Sequence, residues 1–532
     1  MSTVPAAIVA LFVLSAAGVL PVLALIGVRW IALPLAPLAG AIVAAVAATT
    51  YVAVGGTFMT WFVVEAVVLA AVVVVFWYVR PERRPWRLDV RRRDRHGTAH
   101  RWFGIGGAVA IAAACTWCLR GLATPTVGFD ARALWLMRPG WFLQSHHQLL
   151  VNLRIPDLVL IQSPYPPLVS AATAVSWSVT GNHTDRLGVV VIALLNTCAL
   201  AVAAFALVEL GRRFALRLSG IKEADSDTMA FGTAHSRRAA SRHARARGSA
   251  ASTVPMVAGV VAAVLLVFVA FGITEPFMTN GYADPIWSLA AVGAVVYGLQ
   301  MELGRVQRGA ALLLVLVAGL SKDEGVATAV VLIGIIALRS LLALWRDGRL
   351  QQWWQPVALG VAEIAVVGSW PLLMRIDHAR GAKVAESPMR DWADRVSGSY
   401  HGMTPYLHVL VVAIPVAVVG GLILSRVRRA SGAGNDWWVW AGLASGALAV
   451  AGAFVTGTGA LGPWLLSTVH RVTEFPAMMG WWIIAVWAVV ASGACFFTER
   501  RSNNDSGADP AATPEQRERT APPRRQASIA VE

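Results

Sequence analysis

Apolar positions along this chain fall into long blocks. Runs rich in Ala, Val, Leu, Ile and Trp fill 5–27, 33–53, 58–79, 102–122, 186–210, 254–273, 285–301, 309–321, 325–345, 355–374, 406–424, 437–457 and 476–497, with polar stretches between them. A bilayer crossing takes about 20 apolar residues in a helix. The blocks therefore predict an all-α polytopic membrane protein with about 13 transmembrane helices, in a range of about 11 to 14. No convincing internal repeat is visible, which counts against the inverted-repeat transporter folds.

Composition agrees. Of 532 residues, 57% are hydrophobic and only 14% charged, against roughly 25% charged in soluble domains, and the mean hydropathy is +0.60. These values exclude a soluble enzyme on one anchor, a disordered chain and a disulfide-built scaffold. Net charge is +15, from 45 basic and 30 acidic residues. The basic residues, nearly all Arg, cluster in loops between spans, so they read as topology signals and not as a nucleic-acid surface. Lysine occurs only at Lys222, Lys322 and Lys383.

Three basic stretches, Arg80 to Arg101, Arg212 to Arg247 and Ser425 to Arg429, are expected on the cytoplasmic side. The loops at 123–185, 274–284, 375–405 and 458–475 then face outward. MSTVPAAIVALF lacks a basic leader and is expected to be a retained first span in a multi-pass plasma-membrane protein. The chain divides into 1–101, three helices and a basic loop; 102–497, the membrane core; and 498–532, a disordered polar tail. Within the core, 218–252 is polar and low in complexity, whereas 123–185 is long and rich in aromatics and prolines. Long loops of that second kind carry function on a rigid scaffold. Cys115 and Cys118, one turn apart in an apolar run, read as packing residues.

Chemistry-bearing residues gather in the outer segments. Gly128-Phe129-Asp130-Ala131-Arg132-Ala133-Leu134-Trp135 follows a span, and Asp130 is either a helix cap or a general base at the membrane boundary. Trp135, Trp141 and Phe142 suit a helix lying in the interface. Next come Pro156-Asp157 and Ser163-Pro164-Tyr165-Pro166-Pro167-Leu168, whose prolines fix the chain and start a short juxtamembrane or re-entrant helix. Asp185 opens the following span, and Asn280-Gly281-Tyr282-Ala283-Asp284-Pro285 opens a later one. Gly319-Leu320-Ser321-Lys322-Asp323-Glu324-Gly325 puts three charges between two apolar runs, where they are costly unless paired or functional. His470-Arg471, with Glu474, precedes the last span, and Arg matches phosphate bidentately.

Carboxylates and cations on one face of a membrane suit transfer from a lipid phosphate to a hydroxyl acceptor. The cations Lys322, Arg471 and His470 hold the phosphate and the carboxylate of Asp130 takes the hydroxyl proton. The rival class is a transporter or flippase of a lipid-linked or small substrate, for which Glu65 and Glu363 would be the intramembrane charges. An envelope scaffold is a third class, and it needs no such mixture. His146-His147 lacks a third ligand for a metal site.

The order of these motifs (GFDARALW, PYPPL, Asp185-Arg186-Leu187, GLSKDEG and a late His-Arg) resembles the glycosyltransferase C superfamily over about 102–480. The likeness is greatest to its bacterial protein-mannosyltransferase-like and lipid A aminoarabinose-transferase-like branch. The resemblance implies an inverting membrane glycosyltransferase acting at the extracytoplasmic face. Its partners would be a polyprenyl-phosphate sugar donor, membrane lipid and an acceptor that is an envelope glycan, glycolipid or protein. Asp130 then matches the catalytic base, Lys322 and Arg471 with His470 the phosphate contacts, and Asp157, Tyr165, Asp185, Asp284 and Glu324 substrate-binding positions. No cofactor is required, and a divalent cation held by loop acids is the variant some such enzymes use. Ser321 stands where the related motif has Thr, a single Asp where the protein mannosyltransferases have an Asp-Glu pair, and three extra spans come first.

Overall fold

A computed structural model describes residues 2–80, 98–123, 125–155, 165–218, 249–301, 304–376, 392–423, 436–456 and 468–493. Among these residues every regular element is helical. In chain order they are α1 (Thr3–Ile26), α2 (Ala32–Val54), α3 (Phe58–Val79), α4 (Thr98–Cys118), α5 (Arg138–Phe142), α6 (His146–Arg154), α7 (Leu168–Thr180), α8 (Asp185–Leu218) and α9 (Ser249–Thr274). There follow α10 (Asp284–Val295), α11 (Arg305–Gly319), α12 (Asp323–Arg346), α13 (Trp354–Ile376), α14 (Trp392–Met403), α15 (His408–Ile423), α16 (Asp436–Thr456) and α17 (Glu474–Ser492). The polar loop and tail, Asp157 and most of the basic stretches lie outside the described residues.

Ten helical stretches among the described residues are long and apolar enough to cross a membrane, which makes this an all-α polytopic membrane protein. Ten of the thirteen sequence blocks coincide with them. Of the other three, 285–301 is α10 running into a wide π-helical turn, Val296–Gln300, 309–321 falls in the short α11, and 437–457 is α16, a helix of 21 residues. At 1.5 Å per residue α10 with its turn reaches only roughly 26 Å, against a hydrocarbon core of about 30 Å. It does not need to match lipid, because every residue from Asp284 to Gln300 is buried in protein.

The bundle is layered. Helices α2, α8, α10 and α17 form its interior, while α3, α13 and α15 leave most of their apolar side chains exposed. Lipid tails are as apolar as Leu, so close packing, not exclusion from water, holds such helices together. Small residues make that packing tight. A Cβ on Gly40 would fall onto the Leu14 carbonyl, and one on Gly18 onto that of Ala36, so α1 and α2 cross backbone to backbone. Gly211 and Gly259 play the same part between α8 and α9.

Polar ties fix the two ends. At one, Tyr51 Oη donates to the Gln144 carbonyl at 2.6 Å and His146 Nε2 lies 3.0 Å from the Val52 carbonyl, which joins the end of α2 to α6. At the other, Arg305 donates to the Ala24 carbonyl, and Arg339 reaches the carbonyls of Gly298 at 2.6 Å and Met301 at 2.9 Å. There Glu209 accepts from Arg212 at 2.8 Å and from Arg213 at 2.9 Å.

The sequence expectation of an interfacial aromatic helix after Asp130 meets a different arrangement. Trp135, Trp141 and Phe142 are buried against protein, and Phe142 stacks on Phe58 with ring centroids 5.6 Å apart. Helix α3 covers Phe142 and Tyr165 covers Trp135, so packing takes the place of the headgroup region. Helix α7 is likewise interior, buried from Leu168 to Trp177 between α1, α2 and α8. Gly40→Leu is expected to push α1 from α2 and to cost about 1–3 kcal/mol; a heat-unfolding midpoint unchanged from the wild type in the same detergent would contradict the close crossing.

Candidate functional site

Five segments converge at the end of the bundle where α7, α10, α12 and α17 begin. Each is positioned by backbone chemistry. The Gly128 N–H donates to the Asn280 carbonyl at 3.1 Å, and the Tyr282 ring occupies the space a Cβ on Gly128 would need. Gly281 has φ +93°, a left-handed backbone that glycine adopts without strain, and it lies against Ala131. Buried Asn196, inside α8, donates to the carbonyls of Met278 at 3.2 Å and Tyr282 at 3.3 Å and holds this turn from below. The GFDA and NGYADP motifs thus interlock through their glycines.

The other two motifs join in the same way. The Leu168 N–H donates to the Leu320 carbonyl at 2.9 Å, tying PYPPL to GLSKDEG. Gly325 allows the close turn between α11 and α12, since a Cβ there would strike the Ala318 carbonyl. Lys322 stands extended just before α12, with φ −159° and ψ 160°, so its side chain turns back toward the head of α10.

The result is a chain of alternating charges. Glu324 Oε1 lies 3.3 Å from Lys322 Nζ, which donates at 2.6 Å to Asp284 Oδ1. Asp284 Oδ2 lies 3.9 Å from Arg471 Nη1, which donates at 2.5 Å to Asp130 Oδ2. Asp284, Lys322 and Arg471 are buried; Asp130 is the open end, with 31% of its side chain exposed. Asp130 sits at a helix cap position but makes no cap hydrogen bond, so Arg471, 341 positions away, claims its carboxylate instead.

Burial of charge is costly, and opposite neighbours offset it. Burial works against the Lys322 ammonium, yet Asp284 and Glu324 outweigh it and raise its pKa above the ordinary lysine value. Burial also opposes the Arg471 charge, and Asp284 and Asp130 again prevail, so its pKa is raised. Arg471 further packs over the Tyr282 ring at 5.0 Å. Burial, then the repulsion of Glu324, raises the pKa of the Tyr165 phenol, which stays a neutral donor with its ring stacked 5.6 Å from that of Trp135.

Of the residues singled out from sequence, Asp130, Asp284, Lys322, Glu324 and Arg471 are brought together, with Tyr165 beside them. His470 turns to an aromatic pair, Phe277 at 5.0 Å and Tyr406 at 6.2 Å. Burial, then the Arg471 charge, lowers its pKa and keeps the imidazole neutral. Asp185 is not in the cluster; it pairs with Arg132 at 3.0 Å on the exposed surface, a contact worth at most about 1 kcal/mol. Asp157 lies outside the described residues. Glu65 accepts from Thr50 at 2.6 Å on the α2–α3 pair, away from the site.

Two further groups lie beside the cluster: Glu474, named from sequence next to His470-Arg471, and Arg138, which was not singled out. Glu474, 1% exposed, accepts from Ser288 Oγ at 3.3 Å. Arg138 is wholly buried, and none of its three guanidinium nitrogens has a hydrogen-bond partner. Its signal was a cation inside an aromatic stretch, LMRPGWF. Among the described residues no three His, Cys, Asp or Glu side chains are grouped so as to hold a metal ion. The carboxylates of the cluster are turned to Lys322 and Arg471, so they do not fit a shared divalent cation and no step is routed through one.

Comparison with protein-family models, with curated proteins and with solved structures finds no match for this chain.

Lys322→Met removes the cation between two acids. Loss of one member of a buried pair costs about 3–5 kcal/mol, so the heat-unfolding midpoint should fall sharply. Lys322→Arg, which keeps the charge, should recover part of the loss; equal losses for both variants would show that volume, not charge, matters at this position.

Proposed function

We propose that this protein is an integral-membrane inverting glycosyltransferase that moves a sugar from a polyprenyl-phosphate donor to a hydroxyl acceptor at the outer face. The supporting observation is the convergence of GFDA, PYPPL, NGYADP, GLSKDEG and the late His-Arg on one alternating chain of charges. All of these but NGYADP are motifs on which the likeness to the glycosyltransferase C superfamily rests; the remaining one, Asp185-Arg186-Leu187, stands apart, with Asp185 paired to Arg132. The Arg-rich loops argue that this end of the bundle faces outward from a plasma membrane.

The chemistry follows from the exposed end of the chain. Arg471 holds Asp130 Oδ2, which fixes the carboxylate and leaves Oδ1 for an acceptor hydroxyl. The acceptor oxygen attacks the anomeric carbon, and its proton passes to Asp130. The bond from the anomeric carbon to the phosphate oxygen breaks, and its electron pair leaves on the lipid phosphate, where a cation must meet it. Attack opposite the leaving group inverts the anomeric centre. Asp284 serves the site indirectly by orienting both Lys322 and Arg471.

A positioned general base contributes about 10²- to 10⁴-fold. Asp130→Asn should therefore reduce sugar transfer by that order in membranes supplied with a panel of polyprenyl-phosphate sugars, while donor binding persists. Correctly inserted wild-type protein that transfers nothing from the full panel, or an Asp130→Asn variant as active as wild type, would refute the reading.

A further inference from the structure

The alternating chain engages both of its cations with carboxylates and leaves only Arg471 Nε buried without a partner. It has three acids, Glu324, Asp284 and Asp130, against two bases, Lys322 and Arg471, and both bases are held by carboxylates. A phosphate arriving there meets a surplus of negative charge. Among the described residues, a guanidinium with all three nitrogens unpartnered lies elsewhere.

Arg138 is that cation. It is 0% exposed, and Nε, Nη1 and Nη2 all lack a hydrogen-bond partner. A guanidinium carries five N–H donors, and burying them unsatisfied is among the more costly arrangements a protein can hold. One face is covered by the Trp370 ring, 5.3 Å from the guanidinium carbon. Asp323, the first residue of α12, balances the charge through space without hydrogen-bonding to it. Asp323 is itself exposed. Asp323 adjoins Lys322 and Glu324, which puts Arg138 at the opposite end of the charged array from Asp130.

The ligand class follows. Three unsatisfied nitrogens exceed what one carboxylate edge can engage, whereas a phosphate offers several acceptor oxygens to a guanidinium fork. Helix α13, which carries Trp370, exposes Leu359, Val361, Ile364 and Leu372. We propose that Arg138 is the seat of the phosphate group of the ligand, and that Lys322 and Arg471 position the acids instead of holding phosphate. This assignment rests on the glycosyl-transfer reading for its place in the reaction: the phosphate enters at Arg138 and the acceptor at Asp130.

The test is binding to the full-length protein in lipid nanodiscs, read by Trp fluorescence and by ligand-induced rise in melting temperature. The probes are inorganic phosphate and citronellyl phosphate, a short isoprenyl monophosphate. Wild type should bind both. Tighter binding of citronellyl phosphate assigns the seat to a lipid headgroup, and equal binding to free phosphate, with Arg138 as the seat in either case. Arg138→Met should weaken binding at least about tenfold and raise the melting temperature of the ligand-free protein, because an apolar side chain replaces an unsatisfied buried charge. Arg138→Lys should bind with intermediate affinity.

A wild-type measurement guards against a variant that fails to fold. Burial pushes the Arg138 pKa down to about 9, with Asp323 opposing the shift, whereas the Lys322 and Arg471 values are raised. Phosphate affinity should therefore fall as pH rises through about 9. Affinity unchanged in Arg138→Met would overturn the proposal. Loss of transfer in Asp130→Asn is read separately, so a failed phosphate seat leaves the glycosyl-transfer reading standing or falling on its own assay.

Discussion

Buried charge needs a counter-charge, and at this site the need is met by residues from four distant segments. Asp284 is the centre. Its two carboxylate oxygens face Lys322 on one side and Arg471 on the other, and those cations in turn reach Glu324 and Asp130. Neither cation can be removed without leaving carboxylates uncompensated in a medium that strengthens every unpaired charge. The helix ends are therefore held in register by electrostatics as well as by packing. Glycines at Gly128, Gly281 and Gly325 permit the backbone approaches this requires.

The same arrangement separates two tasks. Cations locked between acids are good at orienting carboxylates and poor at receiving a new anion. A cation with unsatisfied donors is the reverse. Lys322 and Arg471 belong to the first kind and Arg138 to the second. The unpaired guanidinium is a stability cost retained beside the site, as expected where binding and not folding sets the residue. Trp370 and Phe142, whose rings meet edge to face at 6.2 Å, keep water from one side of it.

Much of this was legible in the sequence, and for physical reasons. Apolar blocks report helices directly, because nothing else spans lipid with its backbone satisfied. Charges such as Lys322 and Asp284, placed among those blocks, stand out because they are expensive there. The short α10 and α11 were read as ordinary spans, since their apolar runs do not reveal that protein, not lipid, surrounds them. Trp135 and Trp141 point in the opposite direction: an aromatic face suits an interface or a core equally, and only tertiary cover, such as that of Tyr165 over Trp135, decides. Arg132 and Asp185 looked like motif positions yet form a surface pair. Arg138 carried a weak signal, because whether an arginine has partners is a property of the whole fold.

The central claim is that residues hundreds of positions apart act as one electrostatic unit. A double-mutant cycle on Asp130 and Arg471 tests it most directly, with stability of Asp130→Asn, Arg471→Met and the double variant measured by heat unfolding in nanodiscs. The account predicts strong non-additivity, the double variant being less destabilised than the sum of the singles by roughly 1–3 kcal/mol. Strictly additive losses would mean that the two side chains do not meet, and would contradict the site.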